Sequence, residues 1–516
     1  MRLVLILALA SVGLAFLSVL AVYVYGMVAR RSPGEPSHAL PTDGGKDTPL
    51  DELVDGLETP DPDDTGMLLI ADNLDAFAAR VLSARNAGRS LDLIYYLWHD
   101  DLTGGLLAQE VIAAADRGVR VRLLLDDINT RGADPLYFAL DVHENIEVRL
   151  FNPMRERGGG LRRGIEMLLR LMSINRRMHN KAWIADGRLA IVGGRNVGDE
   201  YFDAATTNFR DLDLLLLGAA VPEAEQIFDA FWNCGGSVPA DALIRRPKNL
   251  DRVRNRLRRL GSGEKATPYL GRVRRRVSVS RLLDDAGRLH WSHDVRVVTD
   301  PPQKANGELD GRWLTSDLVP ALDGGTKTLR IISPYFIPGA EGLSWLAGMA
   351  QRGIDIQVLT NSLAATDVAA VHGAYAPYRP DLLKAGIRLF ELQPFAARKG
   401  ISAFGSRGAS LHTKAFMVDG RKGFIGSFNF DPRSVSLNTE MGVLFESPGL
   451  VTELDEIFET ETAADASFTV KIAGDGLAWE GEVRGVARSY RQEPEAGTAR
   501  RLLAFIVGWL PIESQL

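Results

Sequence analysis

Two stretches decide the fold: His179-Asn-Lys-Ala-Trp-Ile-Ala-Asp186 and His412-Thr-Lys-Ala-Phe-Met-Val-Asp419. Each places Lys two residues after His, Asp five residues after Lys, and Asn ten residues after Asp, at Asn196 and Asn429. One spacing met twice in a chain marks an internal repeat. His and Lys two apart on a strand point to the same face, so each copy projects an imidazole and an ammonium together. Asp186-Gly187 and Asp419-Gly420 are hairpin signals, and the returning strand delivers Asn196 or Asn429 to the same edge.

The repeat extends outward from the motifs. Residues 90–97 read as a strand, followed by a helical pattern with Leu106, Leu107, Val111 and Ile112 on one face and a stop at Arg117-Gly118. Strands at 119–125 and 146–151 follow. The same order returns as a strand at 328–333, a helix at 343–351 stopped by Arg352-Gly353, and strands at 354–359 and 387–392. Strands joined by helix-length connections predict parallel βαβ units with right-handed crossovers. The expected fold class is α/β, with homologous halves at 67–245 and 296–465 packed about a pseudo-twofold axis.

Composition agrees with a folded enzyme-sized chain. The 516 residues are 46% hydrophobic and 24% charged, which excludes a disordered or collagen-like protein. A net charge of −6 gives no bulk attraction to nucleic acid. The single cysteine, Cys234, excludes an intrachain disulfide and a thiolate metal cluster.

The ends suggest membranes. Residues 3–29 carry no charge and are flanked by Arg2 and Arg30-Arg31, long enough for a transmembrane helix, so 1–30 are expected to be an uncleaved anchor. A signal peptide, the rival, normally has an apolar region of about 7–15 residues. Residues 31–66 are acidic and read as a solvated linker. Residues 246–295 form a connector, and 245–281 hold fourteen Arg/Lys against two acids. That segment reads as a lipid-facing surface, with a solvated helical face or nucleic-acid contact as rivals. The extension 466–516 ends in the apolar run 502–510, too short to span, which fits an interfacial helix with Trp509 at headgroup depth or a helix docked on the core. Residues 161–172 fit either an interfacial helix or core packing, and 367–379, with His372, Tyr375 and Arg379, are polar enough for a headgroup pocket.

A site gathered from both copies holds two His, two Lys and two Asn, with no thiol set or carboxylate cage. No metal or cofactor is expected. Lysines neutralise a phosphodiester and asparagines donate to its oxygens, most strongly as negative charge grows. One neutral imidazole can attack phosphorus, while the other, protonated, can protonate the leaving alkoxide and then deprotonate the acceptor. Their environments must set that difference.

These motifs resemble those of the phospholipase D superfamily, and the resemblance covers nearly everything after the acidic stretch. It implies two α/β/α halves with the site at their interface, and a phosphohistidine intermediate formed without metal. On that resemblance His179 is the nucleophile and His412 the general acid/base. Lys181, Lys414, Asn196 and Asn429 hold phosphoryl oxygens, and Asp211 and Glu440 orient the histidines. Asp186 and Asp419 complete the catalytic motifs, where a hairpin or orienting role is expected rather than proton transfer to substrate.

Residues 193–202 and 426–434, Tyr95-Tyr96 with Asp100-Asp101, and Pro334-Tyr-Phe336 are similar to bacterial cardiolipin synthases. Asn175-Arg-Arg-Met-His179, Asp211-Leu-Asp213 and Leu510-Pro-Ile-Glu513 most resemble the C-type branch. The single apolar segment departs from the two-helix hairpin of some of those enzymes. The resemblance implies a phosphatidyltransferase that forms cardiolipin from phosphatidylglycerol and a donor, phosphatidylglycerol or phosphatidylethanolamine, at the bacterial inner membrane. The alternatives are a hydrolytic phospholipase D releasing phosphatidic acid, a membrane-tethered nuclease, which the anchor argues against, and an inactive membrane scaffold, which the intact motifs argue against. Expected partners are phospholipids and the membrane, not nucleic acid; the sequence specifies no accessory protein.

Overall fold

A computed structural model describes residues 34–42, 48–57, 59–130, 134–154, 157, 175–243, 249–275, 288–308, 311–394, 409–510 and 513–515. The expected anchor at 3–29 lies outside the described residues apart from Gly13, Leu17 and Leu20, and the 161–172 helix does so apart from Glu166. Among the described residues no helix is long and apolar enough to cross a membrane.

The first sheet contains β1 (Thr65–Ile70), β2 (Ser90–Tyr95), β3 (Arg120–Asp126), β4 (Ile146–Phe151), β5 (Ala182–Ala185), β6 (Leu189–Gly193), β8 (Asp213–Gly218), β9 (Ser237–Pro239) and β10 (His290–Ser292), with β7 (Asn208–Arg210) standing apart. The second contains β11 (Val295–Thr299), β12 (Thr328–Ile332), β13 (Asp355–Asn361), β14 (Arg388–Leu392), β16 (Ala415–Val418), β17 (Lys422–Gly426), β18 (Met441–Glu446), β19 (Ser467–Ala473), β20 (Gly476–Val483) and β21 (Val486–Tyr490), with β15 (Ala409–Leu411) apart. Their orders match strand for strand: β1-β8-β6-β5-β2-β3-β4-β9 against β11-β18-β17-β16-β12-β13-β14-β19. Among the described residues, only β10 on one edge, and β20 and β21 on the other, break the correspondence.

Each sheet is mixed. β2, β3 and β4 run parallel, as do β12, β13 and β14, and the motif strands β5 and β16 lie antiparallel beside β2 and β12. The parallel strands are largely buried because both faces are covered, and charged residues among them pair with each other, as Arg122 does with Asp92. Helix stops at Gly118 and Gly353 take φ of +95° and +89°, the left-handed conformation that glycine adopts at no steric cost.

Helices cover both faces of each sheet. Asn73–Asn86 and Leu102–Asp116 pack on the outer face of the first, and Thr315–Asp323 and Gly339–Gln351 on that of the second. Val221–Trp232 and Pro448–Thr462 lie between the sheets, where Phe228, Trp232, Leu454 and Phe458 join Ile184, Val297 and Phe445 in one core shared by both halves. The halves are therefore α/β/α units with a common interior.

Part of the acidic stretch docks on the first half, while Glu35, Glu52, Asp61 and Asp63 stay exposed. Helix Pro49–Asp55 buries Leu50, and Asp51 receives the Arg89 guanidinium at 2.5 and 2.7 Å. Composition counts Asp51 as unpaired; the fold supplies the cation. The connector also packs on the first half through helices Leu250–Gly261 and Ala266–Arg275, with Arg254 bidentate on Asp116 and Arg256 on Asp100.

Candidate active site

The segment before β5 carries His179 and pairs with the segment before β18. The amide of His179 donates to the Thr439 carbonyl at 2.9 Å, and that of Thr439 to the Arg177 carbonyl at 2.8 Å. In the other motif, β15 runs parallel to β7, and the His412 amide donates to the Arg210 carbonyl at 2.8 Å. Each histidine is thus laced by backbone to the strand end that bears the other half's acid.

The side chains complete that crossing. His179 Nδ1 lies 2.7 Å from Glu440 Oε2, and His412 Nδ1 lies 2.6 Å from Asp211 Oδ2. With Nδ1–H directed at a carboxylate, Nε2 of a neutral ring keeps its lone pair toward the site. Tyr96 meets the His179 ring edge-on at 4.9 Å, and Tyr201 meets His412 at 5.3 Å. The sequence expected Asp211 and Glu440 to orient the imidazoles; their assignment across the halves is a product of the packing.

The two acids are held differently. Glu440 accepts from the hydroxyls of Ser427 and, at 2.9 Å, Ser434, and its backbone amide donates to Asp300 at 2.9 Å. Burial still pushes Glu440 up to about 7, against the pull of Lys181 and the Ser427 hydrogen bond. Burial acts upward on Asp211 too, but the charge and hydrogen bond of His412, with Lys414 and Arg195, hold it below the usual carboxylate value. At the position of Ser427 the first half has Gly194, where a Cβ would sit 2.2 Å from Asp211 Oδ1. A side chain there is incompatible with this placement of Asp211.

The imidazoles differ in degree. Burial drives His179 well below its ordinary value, reinforced by the charges of Lys181, Lys414, His412 and Arg433. Burial and Lys414 lower His412 as well, but Asp211 and Asp367 pull it back up. Asp367 accepts from the Tyr335 hydroxyl at 2.7 Å. Lys181 and Lys414 turn back on their own motifs, donating to the carbonyls of His179 and His412. Burial brings Lys181 down to about 7 and Lys414 down to about 8. Glu440 and Asp211 oppose that shift, and an anion entering the site favours the charged lysines further.

The structure brings His179, Lys181, His412, Lys414, Asp211 and Glu440 together. Asn196 stands beside Tyr201, donating to its hydroxyl at 2.8 Å and accepting from the Leu97 amide at 3.2 Å. Among the described residues, none hydrogen-bonds the buried Oδ1 of Asn429.

Asp186 and Asp419 do not join the histidines. They occupy the far ends of β5 and β16, where Asp186 accepts from the amides of Gly88, Arg89 and Ser90 at 2.7–2.9 Å. Asp419 does the same for Thr326, Lys327 and Thr328 at 2.8–2.9 Å. The turns have φ of +55° and +66° at Asp186-Gly187, and +53° and +66° at Asp419-Gly420. Four strand residues lie between each and its lysine, a separation of about 16 Å at the usual rise.

His372, Tyr375 and Arg379 are buried rather than open to solvent. Arg379 is buried against Glu391 at 2.8 Å and Glu493 at 2.6 Å and is bonded to His372. Sequence reasoning missed Ser427, Ser434 and Tyr201 as site residues; all three stand inside the quoted glycine-asparagine motifs, but nothing local says where their hydroxyls point.

The model of the family "Cardiolipin synthase, PLD-like domain" matches residues 83–232 and 318–462. The chain belongs to this phospholipase D-like family. It is 38% identical to cardiolipin synthase C of Escherichia coli (strain K12), over 88% of this chain and 96% of that one. It is 24% identical to a cardiolipin synthase of Listeria monocytogenes serotype 4a (strain HCC23), over 81% of this chain and 73% of that one. Among solved structures, phosphatidylserine synthase of Haemophilus influenzae Rd KW20 shares the fold, with a TM-score of 0.55 and 12% identity over 89% of this chain and 96% of that chain.

Proposed function

We propose that this protein is a phosphatidyltransferase forming cardiolipin from phosphatidylglycerol and a donor phospholipid, through a phosphohistidine intermediate. The observation that carries the reading is the crossed pair, His179 on Glu440 and His412 on Asp211, which gathers both imidazoles and both lysines at one site. Similarity to cardiolipin synthases over most of the chain supports the lipid substrate.

His179 Nε2 attacks the donor phosphorus, and the P–O bond to the headgroup alcohol breaks. The protonated His412 gives its proton to the departing alkoxide. The alcohol, glycerol or ethanolamine, leaves with it. The now neutral His412 takes the proton of a phosphatidylglycerol hydroxyl, whose oxygen attacks phosphorus as the P–N bond to His179 breaks. Cardiolipin is formed and both rings return to their starting states. Lys181 and Lys414 neutralise the phosphoryl oxygens, and Asn196 and Asn429 donate to them.

The electrostatics support this order. Burial and nearby cations push His179 well below its ordinary value, which favours a neutral nucleophile; burial lowers His412 too, but Asp211 and Asp367 oppose the shift and leave it the more readily protonated ring. We assign residues 3–29 as the anchor that holds the enzyme in the bacterial inner membrane.

The test is lipid analysis after the full chain, reconstituted in vesicles, is incubated with labelled phosphatidylglycerol, with and without phosphatidylethanolamine, beside His412→Ala. Cardiolipin from the intact protein alone supports transfer, and dependence on phosphatidylethanolamine names the donor. Phosphatidic acid as the sole product makes the enzyme a hydrolase, and no lipid turnover sinks the proposal.

A further inference from the structure

The C-terminal helix Thr498–Gly508 is fixed to the protein by its small side. Ala504 and Val507 are buried, and Ala504 lies so close to Gly373 that a Cβ there would sit 2.5 Å from the Ala504 carbonyl oxygen. The opposite side is a stripe at helical spacing. Leu502, Phe505, Ile506 and Trp509 face outward, Phe505 at 65% and Trp509 at 79% exposure, flanked by Leu503 and Leu510. Beneath Phe505 and Trp509 runs a cleft of about 410 Å³ bordered by Pro377 and Trp479. So concentrated an apolar surface marks an interaction site.

Both ends of this segment are fastened to the rim of the active site. At its start, Arg500 donates to the carbonyls of Leu363, Ala364 and Thr366 at 2.9–3.2 Å. That loop carries Asp367, whose charge reaches His412. Beyond the helix, Gln515 bonds Asn175 at 2.5 Å and Arg433 at 3.2 Å, and Arg433 acts on His179. Glu513 accepts from Tyr378 at 2.8 Å. The apolar stripe therefore belongs to the same rim that a substrate must cross to reach the two histidines.

We infer that the exposed face of Thr498–Gly508 lies in the plane of the bilayer interface and seats the mouth of the active site on the lipid surface. Eleven residues give a helix of about 16 Å, half of the hydrocarbon thickness, so it lies in the interface and cannot cross it. Trp509 closes the apolar stripe, as aromatic residues do at headgroup depth. A bilayer is the occupant that the continuity with the rim selects, and that step rests on reading the substrate as a membrane lipid. Docking in this way lets a phospholipid enter the site without leaving the membrane.

The test uses the full chain in vesicles of phosphatidylethanolamine and phosphatidylglycerol. An environment-sensitive dye is placed on Phe505→Cys, or on Arg488→Cys in the exposed part of β21, in a Cys234→Ser background. Dye emission at 505 is expected to shift to the blue and to be quenched by nitroxide-labelled lipid, with neither change at 488. This readout needs no turnover, so it stands apart from the identity of the reaction. A blue shift without lipid quenching overturns the inference, since the face is then covered by protein, either a second copy or the chain's own N-terminal segment. Aqueous emission at 505 overturns it as well. In mixed micelles, Phe505→Ser with Trp509→Ser should raise the KM for lipid about tenfold while kcat stays within about twofold. An unchanged KM counts against the docking role.

Discussion

His412 Nδ1 and Asp211 Oδ2 are 2.6 Å apart although the two residues belong to different halves of the chain. The mirror relationship, His179 to Glu440, has the same form with a different acid and different support. Each half is therefore incomplete as a catalyst. Neither imidazole is oriented until the shared core around Phe228, Trp232 and Phe458 has formed.

Replacing either acid should cripple turnover without unfolding the protein. Asp211→Asn and Glu440→Gln remove the group that fixes an imidazole tautomer, and losses of about 10²–10⁴ in kcat are expected. Steady-state cardiolipin formation on folded variants measures this. Wild-type rates for both variants would leave the crossed pairs without a catalytic role.

The pH profile of kcat/KM should be bell-shaped. On the acid side, rate is lost as His179 takes a proton, and because burial lowers its pKa this limb falls below the ordinary imidazole range. On the alkaline side, Lys181 and Lys414 lose their protons near about 7 and about 8, and binding of the phosphodiester weakens as pH rises. Asp211 acts upward on His412 and on both lysines, so Asp211→Asn should move the alkaline limb to lower pH. Rates measured between about pH 5 and 9 decide the matter; an alkaline limb that does not move removes Asp211 from the titration of His412 and the two lysines.

Asp186 and Asp419 should matter for stability rather than chemistry. Asp186→Ala leaves the amides of Gly88, Arg89 and Ser90 without their carboxylate and places alanine at a positive φ, costing about 2–4 kcal/mol. The expected result is a lower Tm with kcat of the folded fraction within about threefold of wild type. A wild-type Tm with lost activity would return Asp186 to the catalytic set.

Gly194 and Ser427 stand at equivalent places and should respond differently. Gly194→Ala drives a methyl into Asp211 and should cost about 10² or more in activity through His412. Ser427→Ala removes one donor from Glu440, whose other hydroxyl, Ser434, remains, so a loss of about tenfold is expected. Equal effects would contradict the asymmetry of the two supports.

Features that depend on near neighbours were legible in the chain alone. A two-residue His–Lys spacing, an Asp-Gly turn and a returning Asn are consequences of strand geometry, and their double occurrence fixed two homologous halves with one set of reacting groups. Tertiary structure decided what meets across long separations. It paired His179 with Glu440 and His412 with Asp211, choices that depend on how two sheets pack and leave no trace in local spacing. It laid Asp51 on Arg89, where composition alone counts an unpaired acid. It also withdrew Arg379 into a buried network that residue types cannot distinguish from an open pocket. The run 502–510 allowed either a docked or an exposed helix; the close contact of Ala504 with Gly373 fixed one side and left Phe505 and Trp509 outside.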